Sequence, residues 1–338
     1  MEVSIKPRWF GIDVSKDTFD VSMFPGEARK APHIKLPRSR QGCQECLHWV
    51  DRQVPQGEES ALVMEATGGY GKEMANWLLS LRAGVRVAIA QPWRVRQYAK
   101  GLGMVNKTDA QDAIMLARYG DTYNPRSYQP MSPAYEQLRA LSRERAAMVK
   151  EAIRLGNRNE IPSNSKVAQT IREQTLAQVK KAVADLDQAI KAQIAKDPGL
   201  KKDFRRLQTV PGVGPVVAGT LMGECGDLRD FVHHKALQAF AGVAPGLVES
   251  GTSLHATAHM TKHGSGRLRQ VLYMGAMAAA RGQSPVAQSY DHLLKEGKPA
   301  MVALGALMRK ILVTCRAVLL EEQDYDPKYV RKAPSEPI

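Results

Sequence analysis

The order of apolar runs predicts an α/β layered domain over residues 1–130, a long helical connector over 131–200, a mainly α domain over 201–322 and a loosely ordered tail, 323–338. Three observations lead there. Short β-branched and aromatic runs alternate with helix-spaced stretches in the first third. Residues 132–200 then keep near-heptad apolar spacing. After Asp197-Pro198-Gly199 the chain is mostly helical in pattern until the polar, Pro-containing end.

Residues 8–24, RWFGIDVSKDTFDVSMF, read as two strands broken at Ser15-Lys16-Asp17, a hairpin, and His33–Pro37 adds a third short strand. Cys46, Trp49 and Val50 have helical spacing. The run ALVMEAT fits a buried parallel strand, GKEMANWLLSLRAG a helix stopped by glycine, and VRVAIAQP another buried strand. Residues 93–103 and 108–123 read as helices, with Thr108 as an N-cap. The predicted order is β-β-β-α-β-α-β-α-α, an α/β layer fold. In the connector, Leu138, Leu141, Met148, Ala152 and Leu155 form one stripe, and Leu176, Val179, Val183, Leu186 and Ile190 another, broken at IPSNS. This pattern is equally that of an intramolecular helical hairpin and of an oligomerisation arm.

The chain has 338 residues, 43% of them hydrophobic, and a formal net charge of +14. No run of 18 apolar residues suggests a membrane span, and the N-terminus enters a strand pattern without a signal-peptide core. Four cysteines do not suggest a disulfide framework. A reducing bacterial cytoplasm, with association to the nucleoid, is therefore the expected compartment, and the positive excess predicts nucleic acid as partner ahead of membrane.

Against that charge stand four acids in distinctive contexts: Asp13 in GIDVSKDTFDV, Glu65 in VMEATGGY, and Asp109 and Asp112 in KTDAQDA. Asp13 falls on the first strand and Glu65 at the end of a neighbour. Asp109 and Asp112, three apart, share a helix face. A carboxylate cluster in a basic protein repels phosphates unless a divalent cation intervenes, and oxygen donors point to Mg²⁺, with Mn²⁺ an alternative. Such ions promote attack on a phosphodiester and stabilise its leaving oxygen. Asp17 and Asp20 are nearby alternatives.

Two stretches lack acids altogether. Residues 74–108 carry Arg82, Arg86, Arg94, Arg96, Lys100 and Lys107 with Trp93 and Tyr98 interleaved. Residues 250–290 carry Lys262, Arg267, Arg269 and Arg281 with three histidines. Both suit phosphate contact and base stacking, although charge runs are more often solvated faces. The turn around Gly212 and Gly214, in VPGVGPVVAGTL, resembles a helix-hairpin-helix module whose glycines admit a phosphate to a helix start. An ordinary helix connection has the same pattern. Cys43-x-x-Cys46-x-His48 begins like a zinc site but has no second pair. Ser250, beside glycine, reads by itself as a turn residue.

Taken together, GIDVSKDTFDV, EATGGY, KTDAQDA, LQTVPGVGPVVAGTL, LQAFAGVAPGLVESGTS and TKHGSGRLRQVLYMGAMAA resemble the transposases of insertion-sequence family one-ten and its eleven-eleven subgroup, the bridge-RNA-guided recombinases. The resemblance covers nearly the whole chain. It implies a DEDD catalytic domain with a RuvC-like (RNase H-like) fold whose four acids fall on Asp13, Glu65, Asp109 and Asp112. It also implies a coiled-coil connector and a helical transposase domain holding a serine nucleophile. That serine falls on Ser250, five residues after Pro245 and before Gly251, with Ser253 as fallback. Gly246 stands where many relatives carry arginine. The implied partners are donor and target double-stranded DNA, a structured bridge RNA and further copies of the chain, a homodimer assembling to a tetramer. Rival readings are a two-metal nuclease or junction resolvase in which water attacks, and a non-catalytic nucleic-acid scaffold.

Overall fold

The computed structural model describes residues 6–24, 31–66, 68–103, 109–246, 249–250, 254–255, 259–282 and 284–328, with backbone alone at 249–250, 254–255 and 259. The chain divides into two compact units, Met1–Pro130 and Met131–Ile338.

The first unit is a five-stranded sheet between two helical layers. Its strands are β1 (Arg8–Val14), β2 (Thr18–Met23), β3 (His33–Pro37), β4 (Ser60–Glu65) and β5 (Arg86–Ala90), in the order β3-β2-β1-β4-β5. Only β2 runs against the others. The hairpin forms where Ser15-Lys16-Asp17 interrupts the apolar run, and the Ser15 hydroxyl donates to the Thr18 carbonyl to close the turn. The helices are α1 (Arg40–Gln53), α2 (Tyr70–Leu81), α3 (Pro92–Gly101) and α4 (Asp109–Tyr123), so the element order is the one the sequence predicts. Ser39 caps α1, accepting from the Gly42 amide, and Pro92 opens α3, where its missing N–H costs nothing.

Strand alternation sorts the core. Phe10, Ile12 and Val14 point one way, toward Cys43, Cys46 and Leu47 of α1 and Met74 and Leu78 of α2. Trp9, with Ala61 and Val63, points the other way, toward Val95 of α3 and Met115, Leu116 and Tyr119 of α4. Each large side chain so buried contributes roughly 1.5–3 kcal/mol. Cys43 and Cys46 are core residues, and burial pushes the Cys43 thiol up to about 12, the opposite of a metal-binding thiolate.

Two glycines set how closely α4 lies on the sheet. A Cβ at Gly11 would collide with the Ala113 carbonyl and the Ala117 amide, while one at Gly120 would strike the Trp9 ring. Helix α4 therefore runs antiparallel to β1, with Gly120 over Trp9 and Ala113 over Gly11. Its first turn arrives beside Asp13.

In the second unit, α5 (Pro133–Asn159) and α6 (Lys166–Lys196) form a helical hairpin. Gln193 donates to the Ala134 carbonyl, Arg145 pairs with Asp187, and Arg172 donates to the Arg158 carbonyl, a ladder that fixes the helices as antiparallel. The stripes thus meet within one chain, and α5 also packs on α8. The remainder comprises α7 (Pro198–Leu207), α8 (Pro215–Cys225), a 3-10 turn (Leu228–Asp230), α9 (His234–Ala241), α10 (Gly266–Ala280), α11 (Pro285–Lys295) and α12 (Ala300–Leu320). Among the described residues, four two-residue strands interrupt the helices: β6 (Pro245–Gly246) pairs with β9 (His259–Met260), and β7 (Glu249–Ser250) with β8 (Leu254–His255). At the start of the segment expected to be loose, Tyr325 packs on the helical core and its amide donates to the Thr209 hydroxyl.

Candidate active site

The four predicted acids converge on the face of the first sheet that α4 covers. Asp13 pairs with Asp20 across the β1–β2 hairpin, and Asp20 pairs with Lys35 across β2–β3. Directly paired residues share a face. On the other flank, Ile12 pairs with Met64, which brings Asp13 level with Glu65 at the end of β4. Lys35, Asp20, Asp13 and Glu65 thus form a row across four strands. Helix α4 adds Asp109 and Asp112 from its first turn, where acids are also favoured by the helix dipole.

The electrostatics record this convergence. Burial first, then the negative charges of Asp112, Asp109, Asp20 and Glu65 in that order, push the Asp13 carboxyl from the ordinary 3.8 up to about 6. The donor set is all oxygen, which fits a hard divalent cation. Among the described residues, no three His, Cys, Asp or Glu side chains are gathered closely enough to hold an ion as they stand.

Asp20 earns a larger place than an alternative. It is buried, accepts from His33 Nε2 at 2.8 Å, and lies 3.2 Å from Lys35 Nζ, which also reaches Asp109 Oδ2 at 3.4 Å. Sequence reading missed His33 and Lys35. Alternation in HIKLP, read together with the hairpin register, was the signal that placed both on the face of Asp20. Asp17 stays in the turn, where its carbonyl accepts from the Arg38 amide.

The basic candidates divide by what they touch. Arg94, Arg96 and Lys100 are exposed on α3, and Arg94 donates to the Tyr119 hydroxyl. Tyr98 packs edge to face on both Tyr119 and Tyr123, whose own rings meet at a tilt of 41°, and Trp93 is 44% exposed. Lys107 lies outside the described residues, as does Thr108.

In the second unit, Lys262 and Arg267 are exposed, and Lys262 has φ 56°, which a lysine rarely adopts. Arg269 instead clamps its own loop: Nη1 donates to the Lys262 carbonyl at 3.0 Å and the Gly264 carbonyl at 2.9 Å. Gly212 has a packing role, since φ is 83° and a Cβ would strike the Gly275 carbonyl of α10. Gly214, at the start of α8, faces open space. Ser250 pairs with Leu254 through the β7–β8 backbone, and Ser253 lies outside the described residues.

Comparisons with known proteins agree with this layout. Residues 10–160 match the DEDD transposase model of the IS110 group, and residues 204–292 match the transposase family IS116/IS110/IS902. The chain is 30% identical to the pilin gene-inverting protein of Moraxella bovis over 95% of this chain and 98% of that one. The namesake protein of Moraxella lacunata matches to the same extent. It is 24% identical to the transposase for insertion sequence element IS1111A of Coxiella burnetii, over 80% of this chain and 77% of that one. No helix among the described residues is long and apolar enough to cross a membrane. Full-length similarity to the gene-inverting proteins, two family matches in order and an acidic sheet face together place this chain in the IS110 family of transposases, enzymes of DNA recombination.

Proposed function

We propose that the chain cuts and rejoins double-stranded DNA through a covalent phosphoserine, with its acids holding Mg²⁺ or Mn²⁺. The observation that carries this reading is the placement of Asp13, Glu65, Asp109 and Asp112 on one sheet face, where burial first and then the neighbouring acids push the Asp13 carboxyl up to about 6. Carboxylates so arranged repel one another and the phosphate unless a cation joins them. The bound ion would polarise the scissile phosphate and favour the ionised hydroxyl of the nucleophile.

Asp13 and Glu65, fixed on strands, and Asp109 and Asp112, fixed on α4, would hold that ion on rigid elements. Ser250 Oγ would attack phosphorus. An Oγ–P bond forms, the P–O3′ bond breaks, and the serine proton passes to the departing 3′ oxygen. A 3′-hydroxyl from the exchanged strand then reverses the step, so no external energy is needed. The assignment of Ser250 rests on its motif; Ser253 is the alternative. Rejoining is also what the name of the pilin gene-inverting relatives requires of those proteins.

The sheet order, with β2 alone antiparallel, supports a RuvC-like domain over 1–130. The antiparallel α5–α6 pair supports a coiled-coil connector over 131–200, leading to a helical transposase domain over 201–322 and a tail. The exposed Arg94, Arg96, Lys100, Lys262 and Arg267 would contact nucleic-acid backbones. Sequence choice would pass to a structured bridge RNA, in assemblies of two and then four copies.

The test is trapping. Incubation with element-end DNA and Mg²⁺ should give a protein–DNA adduct that survives denaturation, and Ser250→Ala should abolish it. Recombination by Ser250→Ala at the wild-type rate would hand the attack to Ser253 or to water, the nuclease reading. Sequencing RNA that co-purifies with the protein tests the guide; only bulk cellular RNA would count against it.

A further inference from the structure

Among the described residues, a lysine ammonium is built into the acidic row. Lys35 lies on β3, the edge strand, in register with Asp20. Its ammonium stands 3.2 Å from Asp20 Oδ2 and 3.4 Å from Asp109 Oδ2, so it bridges a buried carboxylate of the sheet and an exposed one of α4. Asp20 is pinned from its other side by His33 at 2.8 Å, and only 7% of its side chain is exposed. Asp109 is 66% exposed, so Lys35 supplies an anchor that burial does not. An edge-strand lysine also blocks edge-to-edge pairing. That role needs a charge facing solvent and does not account for an ammonium set between two carboxylates of opposite layers.

We propose that Lys35 is a positioning residue, a tethered counter-cation that holds Asp109 toward the sheet and competes with the divalent ion for that carboxylate. This rests on the reading that the acids hold such an ion. Where Lys35 neutralises Asp109, the acids are kept together without metal. An ion held by Asp109 would oppose the ammonium charge, and Lys35 would then swing away. Half of the Lys35 side chain is exposed, which gives it somewhere to go and screens the repulsion. Lys35 thus trades metal affinity for order in the metal-free site.

Titration calorimetry of Mn²⁺ into metal-stripped full-length protein tests this. Lys35→Met should bind Mn²⁺ about fivefold tighter than wild type, a modest change because the charges are solvent-screened. Lys35→Arg, which keeps the charge, should stay within about twofold. Without metal, Lys35→Met should melt lower than wild type and gain more from added Mn²⁺. Asp13→Asn is the control that should abolish binding. Unchanged or weaker binding by Lys35→Met, with wild-type binding still lost in Asp13→Asn, overturns the counter-cation and leaves the metal site standing. If wild type itself binds no Mn²⁺, the metal reading falls and this inference with it. Should Lys35→Met misfold, Lys35→Gln removes the same charge with a polar tip and is judged by the same outcomes.

Discussion

Both units draw carboxylates out of solvent, and apart from Asp20, which His33 and Lys35 pair, they treat them in opposite ways. In the second unit, Arg229 Nη2 donates to both Asp203 oxygens at 2.7 Å and Nη1 to Asp227 at 2.7 Å. Arg143 grips both Glu224 oxygens at 2.7 and 2.8 Å. Burial alone would raise the Glu224 carboxyl, but the Arg143 hydrogen bonds and charge, backed by Arg267 and Arg139, hold it below the usual range. In the first unit, burial first and then the charges of four other acids push the half-buried Asp13 carboxyl up. Matched carboxylates tie helices together. A carboxylate raised by burial and by neighbouring acids marks a candidate functional place.

The contrast can be broken in order of effect. Asp112→Asn keeps the shape of the α4 first turn but removes one charge from the face, and should lower recombination about a thousandfold, the scale of losing one electrostatic group in a site. A change below tenfold in a recombination assay would demote the acidic face to a structural feature. Arg229→Met is the mirror experiment. It leaves Asp203, 9% exposed, buried without its strongest partner, and should cost about 3 kcal/mol of stability in denaturant unfolding. Retained stability would erase the distinction drawn between the units.

The smallest effect is in pH. The Asp13 carboxyl is raised in the folded state, from 3.8 to about 6, so the folded protein binds that proton more tightly than the unfolded chain. Its contribution to stability is therefore fully present below about 4 and is lost as pH rises through about 6. Metal-free wild type should fall in melting temperature across that window relative to Asp13→Asn, leaving the variant about 3 °C the more stable at pH 7. Parallel curves for the two proteins would mean that Asp13 ionises normally.

Much of this was legible in the chain. Asp109 and Asp112 show their common face by spacing alone, and the β1–β2 hairpin is announced by Ser15-Lys16-Asp17. What escaped depends on register or on distant partners. Lys35 becomes part of the site only once Asp20 is known to pair with it. Gly212 looks like a turn glycine until Gly275, on another helix, is found against it. Arg269 counts as positive charge in any window, yet its guanidinium is turned onto carbonyls of its own loop. The strands β6 to β9 have two residues each, too few to show an alternating period.

Gly11 contributes no chemistry, yet α4 can lie beside Asp13 only because that position has no side chain. In genetic terms this moves part of the site's vulnerability to a silent-looking codon. Third-base changes in a glycine codon leave the protein untouched. Every first- or second-base change puts a side chain beneath α4 or ends the chain, and a side chain there would lift Asp109 and Asp112 away from the sheet. Under the proposed function, inactivation of a mobile element by drift therefore has a target at codon 11 beside the codons for the acids themselves.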